Sequence, residues 1–308
     1  MSPGVAFAVF QTVIIGPFFA GIVLRRRVAE PERFTRRLLR ANITLIEPLI
    51  VVWCVWGLAF SRAVALMPAA GLCLAVCGLA VGIAAMPWLG FQKKQRATFL
   101  LSATLSNHGF TMGGFLCYLF FGEQGLGLSV IMVLYFIPYL YGFVFPCMQA
   151  VTRAPQRTSA LRDYILDARN MPLVALAAAA LLQGMGIERP AIALPVDALL
   201  ALSIALYYLT VGMNFVATGF RGLLRPHLCL AAIKFAVVPL CAAGILGFVP
   251  IAQNMKAVIL LQSCMPAAVY SVVTAVLFGL DAGLASSLFV VNTAVFLGLV
   301  LPVVWCMQ

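Results

Sequence analysis

The chain has 308 residues, 64% of them hydrophobic and only 9% charged, with a formal net charge of +11. Soluble chains carry roughly 25% charged residues, so the composition argues against a soluble globular domain and predicts an all-α polytopic membrane protein. The positive charge does not mark a nucleic-acid binder, because it gathers in the short connections between apolar stretches.

Runs long enough to cross a ~30 Å hydrocarbon core as helices predict ten spans, near 5–24, 42–60, 65–89, 97–121, 126–149, 171–187, 194–216, 227–248, 255–278 and 284–306. No basic residue precedes the first run, whereas Arg25, Arg26 and Arg27 follow it; this is the pattern of an uncleaved span, not a signal peptide. The first connection adds Arg33, Arg36, Arg37 and Arg40. The third holds Lys93, Lys94 and Arg96, the fifth Arg153, Arg157, Arg162 and Arg169, and the seventh Arg221 and Arg225. Together these connections carry 16 of the 20 Lys and Arg. The positive-inside rule makes them cytoplasmic and leaves both termini outside. The compact loops suit a multi-pass protein of a cell (inner) membrane. The nine cysteines show no CxxC or other metal spacing and read as free thiols, so neither a metal nor a cofactor is expected.

The two halves are weakly self-similar. Pro17 and Pro172, Gly57 and Gly212, "LCLA" at 72–75 and 228–231, "FG" at 121–122 and 278–279, and "GFVFP" at 142–146 with "GLVLP" at 298–302 recur at an offset of 155 to 157. This divides the chain into a first five-helix repeat at 1–150, a cytoplasmic linker at 151–169 and a second repeat at 170–308. Five is odd, so the second repeat is inverted in the membrane, as in secondary transporters whose sites lie where discontinuous helices meet. The fourth span contains "SNHGFTMGGF" at 106–115 and its counterpart, the ninth, contains "LLQSCMPAAVYS" at 260–271. Glycines in one and Pro266 in the other predict breaks whose free backbone groups are tolerable only beside protein or a watery cavity. Half-helix N-termini at such breaks suit an anion.

"SNHGFTMGGFLCYLFFGEQGLGLSVIMV", "RNMPLVALAAAALLQGMGIERPAIALPVDALLALSIALYYLTVGMNF" and "LLQSCMPAAVYSVVTAVLFGLDAGLASS" resemble, respectively, spans 4–5, 6–7 and 9 of the auxin efflux carrier family, including its bacterial malonate- and malate-type permeases. The resemblance implies two inverted five-helix repeats, helices 4 and 9 broken and crossing, and carriage of organic carboxylates. On that resemblance Asn107 matches the crossover asparagine, and Met265 with Pro266 match the ninth-helix break. Two positions depart from the pattern: Gly114 stands where the family has proline, and Tyr270 where it often has asparagine. The bile acid–sodium symporters share the architecture but hold sodium with an acid at the ninth-helix crossing. Here that span offers Gln262 and no acid, which disfavours sodium coupling there.

The expected substrate site comprises Asn107, His108, Gly109, Gly113, Gly114, Met265, Pro266, Ala267 and Tyr270. Ionisable residues inside spans are functional candidates because burying them is costly. His108 is a coupling group or carboxylate ligand. Glu47, seven residues beyond Arg40, reads as reaching the interface or a basic neighbour, with coupling as the alternative. Lys234 is expected to snorkel to the cytoplasmic face, with a fixed anion-attracting charge as the sharper alternative. Asn214, Asn292, Tyr139 and Gln262 are candidate cavity-lining residues. Ser106 beside His108 is the one conceivable catalytic dyad, too little for an enzyme. The reading is a secondary carrier of a small organic anion, proton-coupled or uniport, with a sodium symporter and a non-transporting ligand sensor as alternatives. Its partners would be the anion and the lipid bilayer, with no nucleic acid, and a homodimer is compatible with the sequence.

Overall fold

The computed structural model describes residues 3–59, 61–152, 171–213 and 224–306. Asn214 and residues 153–169 of the expected linker lie outside the described residues. Every regular element among the described residues is helical. Six helical stretches are long and apolar enough to cross a membrane: Arg33–Trp56, Val64–Leu89, Gly113–Thr152, Val196–Met213, Leu224–Phe248 and Ala282–Cys306. Gln11–Arg25 and Met171–Gly184 are shorter apolar helices. Phe19, Trp88, Leu240 and Phe248 are exposed to 59, 76, 71 and 92%. Apolar surface on that scale is costly in water and ordinary against lipid. These features are those of a membrane-embedded, multi-pass helical protein.

The chain forms two compact units, and each draws on both halves of the sequence. The first is built from residues 3–59, 114–130 and 171–213, and so contains the stretches expected as spans 1, 2, 6 and 7. Its helices Pro3–Arg25 and Val196–Met213 touch backbone to backbone: a Cβ on Gly21 would collide with the Leu209 carbonyl, and one on Gly212 with that of Phe18. Its helix Glu47–Trp56 is capped from outside, since the Gln183 side-chain amide donates to the carbonyls of Trp56 (3.0 Å) and Leu58. The last carbonyls of a helix have no partner within it, and this amide supplies one.

The second unit comprises residues 61–113, 131–152 and 224–306. Here Met67–Leu89 lies directly on Lys93–Thr104, where Gly78 leaves no room for a Cβ against the Ala103 carbonyl. Thr104 Oγ1 donates to Ala75 O at 2.8 Å and sits 2.8 Å from the Tyr139 hydroxyl. Gly71 makes space for the Tyr135 ring, which a Cβ would strike at 2.5 Å.

Four π-helical turns interrupt the long helices, at Asn42–Ile46, Leu140–Val144, Ile233–Val237 and Phe296–Val300. Each is followed two residues later by a proline: Pro48, Pro146, Pro239 and Pro302. The cause is local. Proline has no N–H, and its ring clashes with the carbonyl four residues back, which in all four cases lies inside the widened turn. An i→i+5 turn moves that carbonyl aside and lets the helix continue. A different break occurs at Gly122, whose φ of 63° and ψ of −155° split Gly113–Met132. The following stretch folds back onto the preceding one, so that a Cβ on Gly125 would meet the Cys117 carbonyl.

Candidate functional site: a crossing of two interrupted helices

Two helices of the second unit stop where the sequence places glycines and Pro266. Lys93–Thr104 ends at Leu105, which is extended at φ −88° and ψ 112°. Helix resumes at Gly113. Gln253–Ser263 ends likewise, and Val269–Leu277 follows after Ala268, at φ −77° and ψ 148°. The two extended pieces pair as a short antiparallel bridge at Ser106 and Ala267. Asn107 N donates to Pro266 O at 2.8 Å and Ala268 N to Leu105 O at 2.9 Å. Each break therefore satisfies part of the other's freed backbone, the condition for irregular chain inside a membrane protein. Asn292 supplies a third bond, its side-chain oxygen accepting from Ala267 N at 2.8 Å.

The side chains around this bridge are polar and buried. Asn107 is 8% exposed, and its side-chain oxygen accepts from the Thr111 hydroxyl. His108 faces the Tyr135 hydroxyl through Nδ1 at 3.0 Å. Gln262 donates to the His108 carbonyl at 3.2 Å. The same glutamine explains Gly113: a Cβ there would collide with Gln262 Oε1 and stand 3.0 Å from Asn107 O. Met265, Pro266 and Ala267 are buried in the bridge, Gly114 is buried at the start of the resumed helix, and Gly109 has open space where a Cβ would be.

Lys234 departs from the sequence expectation. It does not snorkel. Its side chain is 1% exposed, and Nζ donates to Ser106 Oγ at 2.7 Å, within the unwound stretch. It lies in the widened turn Ile233–Val237 ahead of Pro239, which alters the face on which each side chain emerges. Among the described residues no carboxylate forms an ion pair with it. The Lys234 amine thus sits against a backbone crossing with a hydroxyl as its hydrogen-bond partner among the described residues. The C-terminal end of Lys93–Thr104, two residues before Ser106, is the negative pole of its helix and favours that charge.

Other expected residues fall elsewhere. Tyr270 is 38% exposed and packs edge-on against Phe136 at 5.1 Å. Tyr139 bonds Thr104, at the end of the helix leading into the break. Glu47 belongs to the first unit. It reaches neither the surface nor a basic neighbour among the described residues, being 4% exposed beside Asn42. Asn214 lies outside the described residues. The Ser106 hydroxyl accepts from Lys234, and His108 Nδ1 faces the Tyr135 hydroxyl. Thr104 and Thr111 escaped sequence reasoning as site residues, and Ser106 entered it only beside His108 as a conceivable dyad; the signal for the two threonines was only their nearness to the break. A recess of about 280 Å³ in the same unit, walled by Leu66, Met67, Leu246, Met255 and other apolar side chains, offers nothing to an anion.

No protein-family model matches the chain, and no curated protein matches it.

Proposed function

We propose that this protein is a secondary transporter that carries a small organic anion, such as a carboxylate, by alternating access. The observation that carries the reading is Lys234: a fully buried ammonium, bonded to the unwound segment at Ser106, with no carboxylate paired to it among the described residues. A charge buried in apolar surroundings needs a counter-charge, and an anionic substrate supplies it. In this reading the carboxylate lies against Lys234 and Asn107, with His108 and the backbone at Pro266 and Ala267 completing the site. Transport is proton-coupled through His108 or uniport. Asn107, Met265 and Pro266 hold the positions matched by the resemblance to the auxin efflux carriers, which favours the same substrate class.

The architecture proposed with it is ten spans in two inverted five-helix repeats, in a cell (inner) membrane with both termini outside. The six long apolar helices support it when the two shorter ones are added and the interrupted pairs each count as a span. So does a recurrence of irregularities: Gly122 and Gly279, both at positive φ, stand 157 residues apart. The π-helical turns beginning at Leu140 and Phe296 stand 156 apart. In an alternating-access cycle the first unit is the scaffold and the second the moving bundle.

The test is flux of labelled carboxylates, from malonate and malate to indole-acetate, into proteoliposomes with and without an imposed pH gradient. Flux that survives removal of sodium supports the reading. Strict dependence on sodium moves it to the symporter alternative, and saturable binding with no flux to the sensor.

A further inference from the structure

The first unit contains a second buried polar group, built from residues none of which belongs to the crossing. Glu47 lies inside the apolar stretch Arg33–Trp56 and is 4% exposed. On a regular helix Asn42 and Glu47, five residues apart, would point about 140° from one another. The π-helical turn Asn42–Ile46 ahead of Pro48 brings them onto one face. The Asn42 side-chain amide nitrogen stands 3.5 Å from Glu47 Oε1 and 3.5 Å from the Ser203 carbonyl oxygen. The Tyr207 hydroxyl hydrogen-bonds the same carboxylate. Asn42 Oδ1 and Ser203 Oγ are buried with no hydrogen-bond partner among the described residues. No Lys or Arg pairs with Glu47 among the described residues.

The group therefore offers one carboxylate, one amide, one peptide carbonyl and the Tyr207 hydroxyl, with the buried, unpartnered Ser203 Oγ on the residue that supplies the carbonyl and no Lys or Arg paired to the carboxylate among the described residues. A spacing of 3.5 Å is long for a hydrogen bond, which prefers about 2.9–3.0 Å. It is, however, the spacing of neighbouring oxygens around a hard ion: ligands at about 2.3–2.6 Å and at right angles lie about 3.3–3.7 Å apart. A half-turn of the Asn42 amide places its unpartnered oxygen at the point now held by its nitrogen, 3.5 Å from Glu47 Oε1 and 3.5 Å from the Ser203 carbonyl oxygen. A monovalent ion there cancels the carboxylate. A divalent one would leave a net charge in an apolar wall, which is expensive.

We propose that Asn42, Glu47, Ser203 and Tyr207 form a binding site for a dehydrated monovalent cation of sodium's size. This is a cation site in the first unit, apart from the crossing, whose ninth-span stretch has no acid, and it entails binding alone, not a requirement for flux.

The test uses the full chain in detergent, with its unfolding midpoint measured in sodium, potassium and choline chloride at equal ionic strength. Sodium is expected to raise the midpoint saturably over choline, and potassium less so. Glu47→Gln is expected to abolish the sodium increment while leaving the midpoint in choline at or above that of the parent, because a buried unpaired charge has been removed. Should that variant fail to fold, Ser203→Ala keeps the carboxylate and loses one ligand, and its half-saturating sodium concentration should rise several-fold. Equal midpoints in the three salts, or a sodium increment that persists in Glu47→Gln, overturns the site. Stabilisation by acid alone, without a sodium response, assigns Glu47 to a proton and also overturns it. The readout is binding, so its failure is separate from any failure to carry an anion.

Discussion

Arg189 and Glu123 form an ion pair at 2.5 Å in the first unit, with the guanidinium carbon 4.7 Å from the centre of the Trp53 ring and a second bond, at 3.2 Å, to the Trp53 carbonyl. The Trp53 indole nitrogen donates to the same glutamate at 3.3 Å, and Gly57 leaves the guanidinium its space, since a Cβ there would lie 2.6 Å from Arg189 Nη1. The pair is about a third exposed, so its electrostatic share is small, about 0.5–1 kcal/mol, with a similar amount from the ring contact. Arg189→Gln and Glu123→Gln should each lower stability by about 1 kcal/mol. The double variant should lose clearly less than their sum in a thermal-unfolding cycle; strict additivity would mean that the two residues do not act together.

Lys234→Met separates stability from transport. Removing a buried ammonium relieves a desolvation cost, so the unfolding midpoint should hold or rise. Flux of the carried anion should fall by at least tenfold, because the counter-charge at Ser106 is gone. Lys234→Arg keeps the charge but replaces a point donor by a planar fork, and should retain part of the flux. A methionine variant with parental flux would remove Lys234 from the substrate site.

Gly113 and Gln262 are predicted to behave as one unit. Gly113→Ala pushes a methyl into Gln262 Oε1 and should cost about 1–3 kcal/mol. Adding Gln262→Ser shortens the obstructing side chain and should recover part of that loss, while the bond to the His108 carbonyl is given up. Unfolding midpoints of the two single variants and the double give the answer; no recovery in the double would show that the backbone at Asn107 is the real obstacle.

Asp281 caps the helix Ala282–Val295 by accepting from Leu284 N at 2.9 Å, and its own N–H is held by Thr98 Oγ1 at 3.2 Å. Asp281→Ala should cost about 1 kcal/mol, and Asp281→Asn, which keeps a side-chain acceptor, far less. Equal losses for the two would show that the charge rather than the cap matters.

How much of this could be read beforehand differs by residue. The interruption after Thr104 was visible because "SNHGFTMGG" combines glycines with polar side chains in an apolar run, and the one after Ser263 because Pro266 forbids a regular helix. Composition also marked the apolar helices. What could not be read was direction. Lys234 was expected to snorkel and instead turns inward to Ser106, and Glu47, expected at the interface or a basic neighbour with coupling as the alternative, is buried facing Asn42. In both cases a π-helical turn lies beside the residue, and the choice between an ordinary and a widened turn is settled by packing that a linear pattern does not display. Tyr270 was named from resemblance alone, and the contact its ring makes with Phe136 could not be read from the sequence.

The pairing of each widened turn with a proline has a consequence for how the helices carry their faces. Such a turn behaves as one extra residue threaded into a cylinder whose ends stay in place. Deleting Phe235 would let Leu224–Phe248 close into a regular spiral with both flanks in place, and only the residues of the turn itself would change their aim. Lys234, inside that turn, is then expected to lose its bond to Ser106 with every other amino acid intact. Proline two residues downstream guards against this, since Pro239 cannot sit comfortably in the closed spiral. The four prolines thus act as keys that hold four widened turns, and at two of them the inward aim of Asn42 and Lys234.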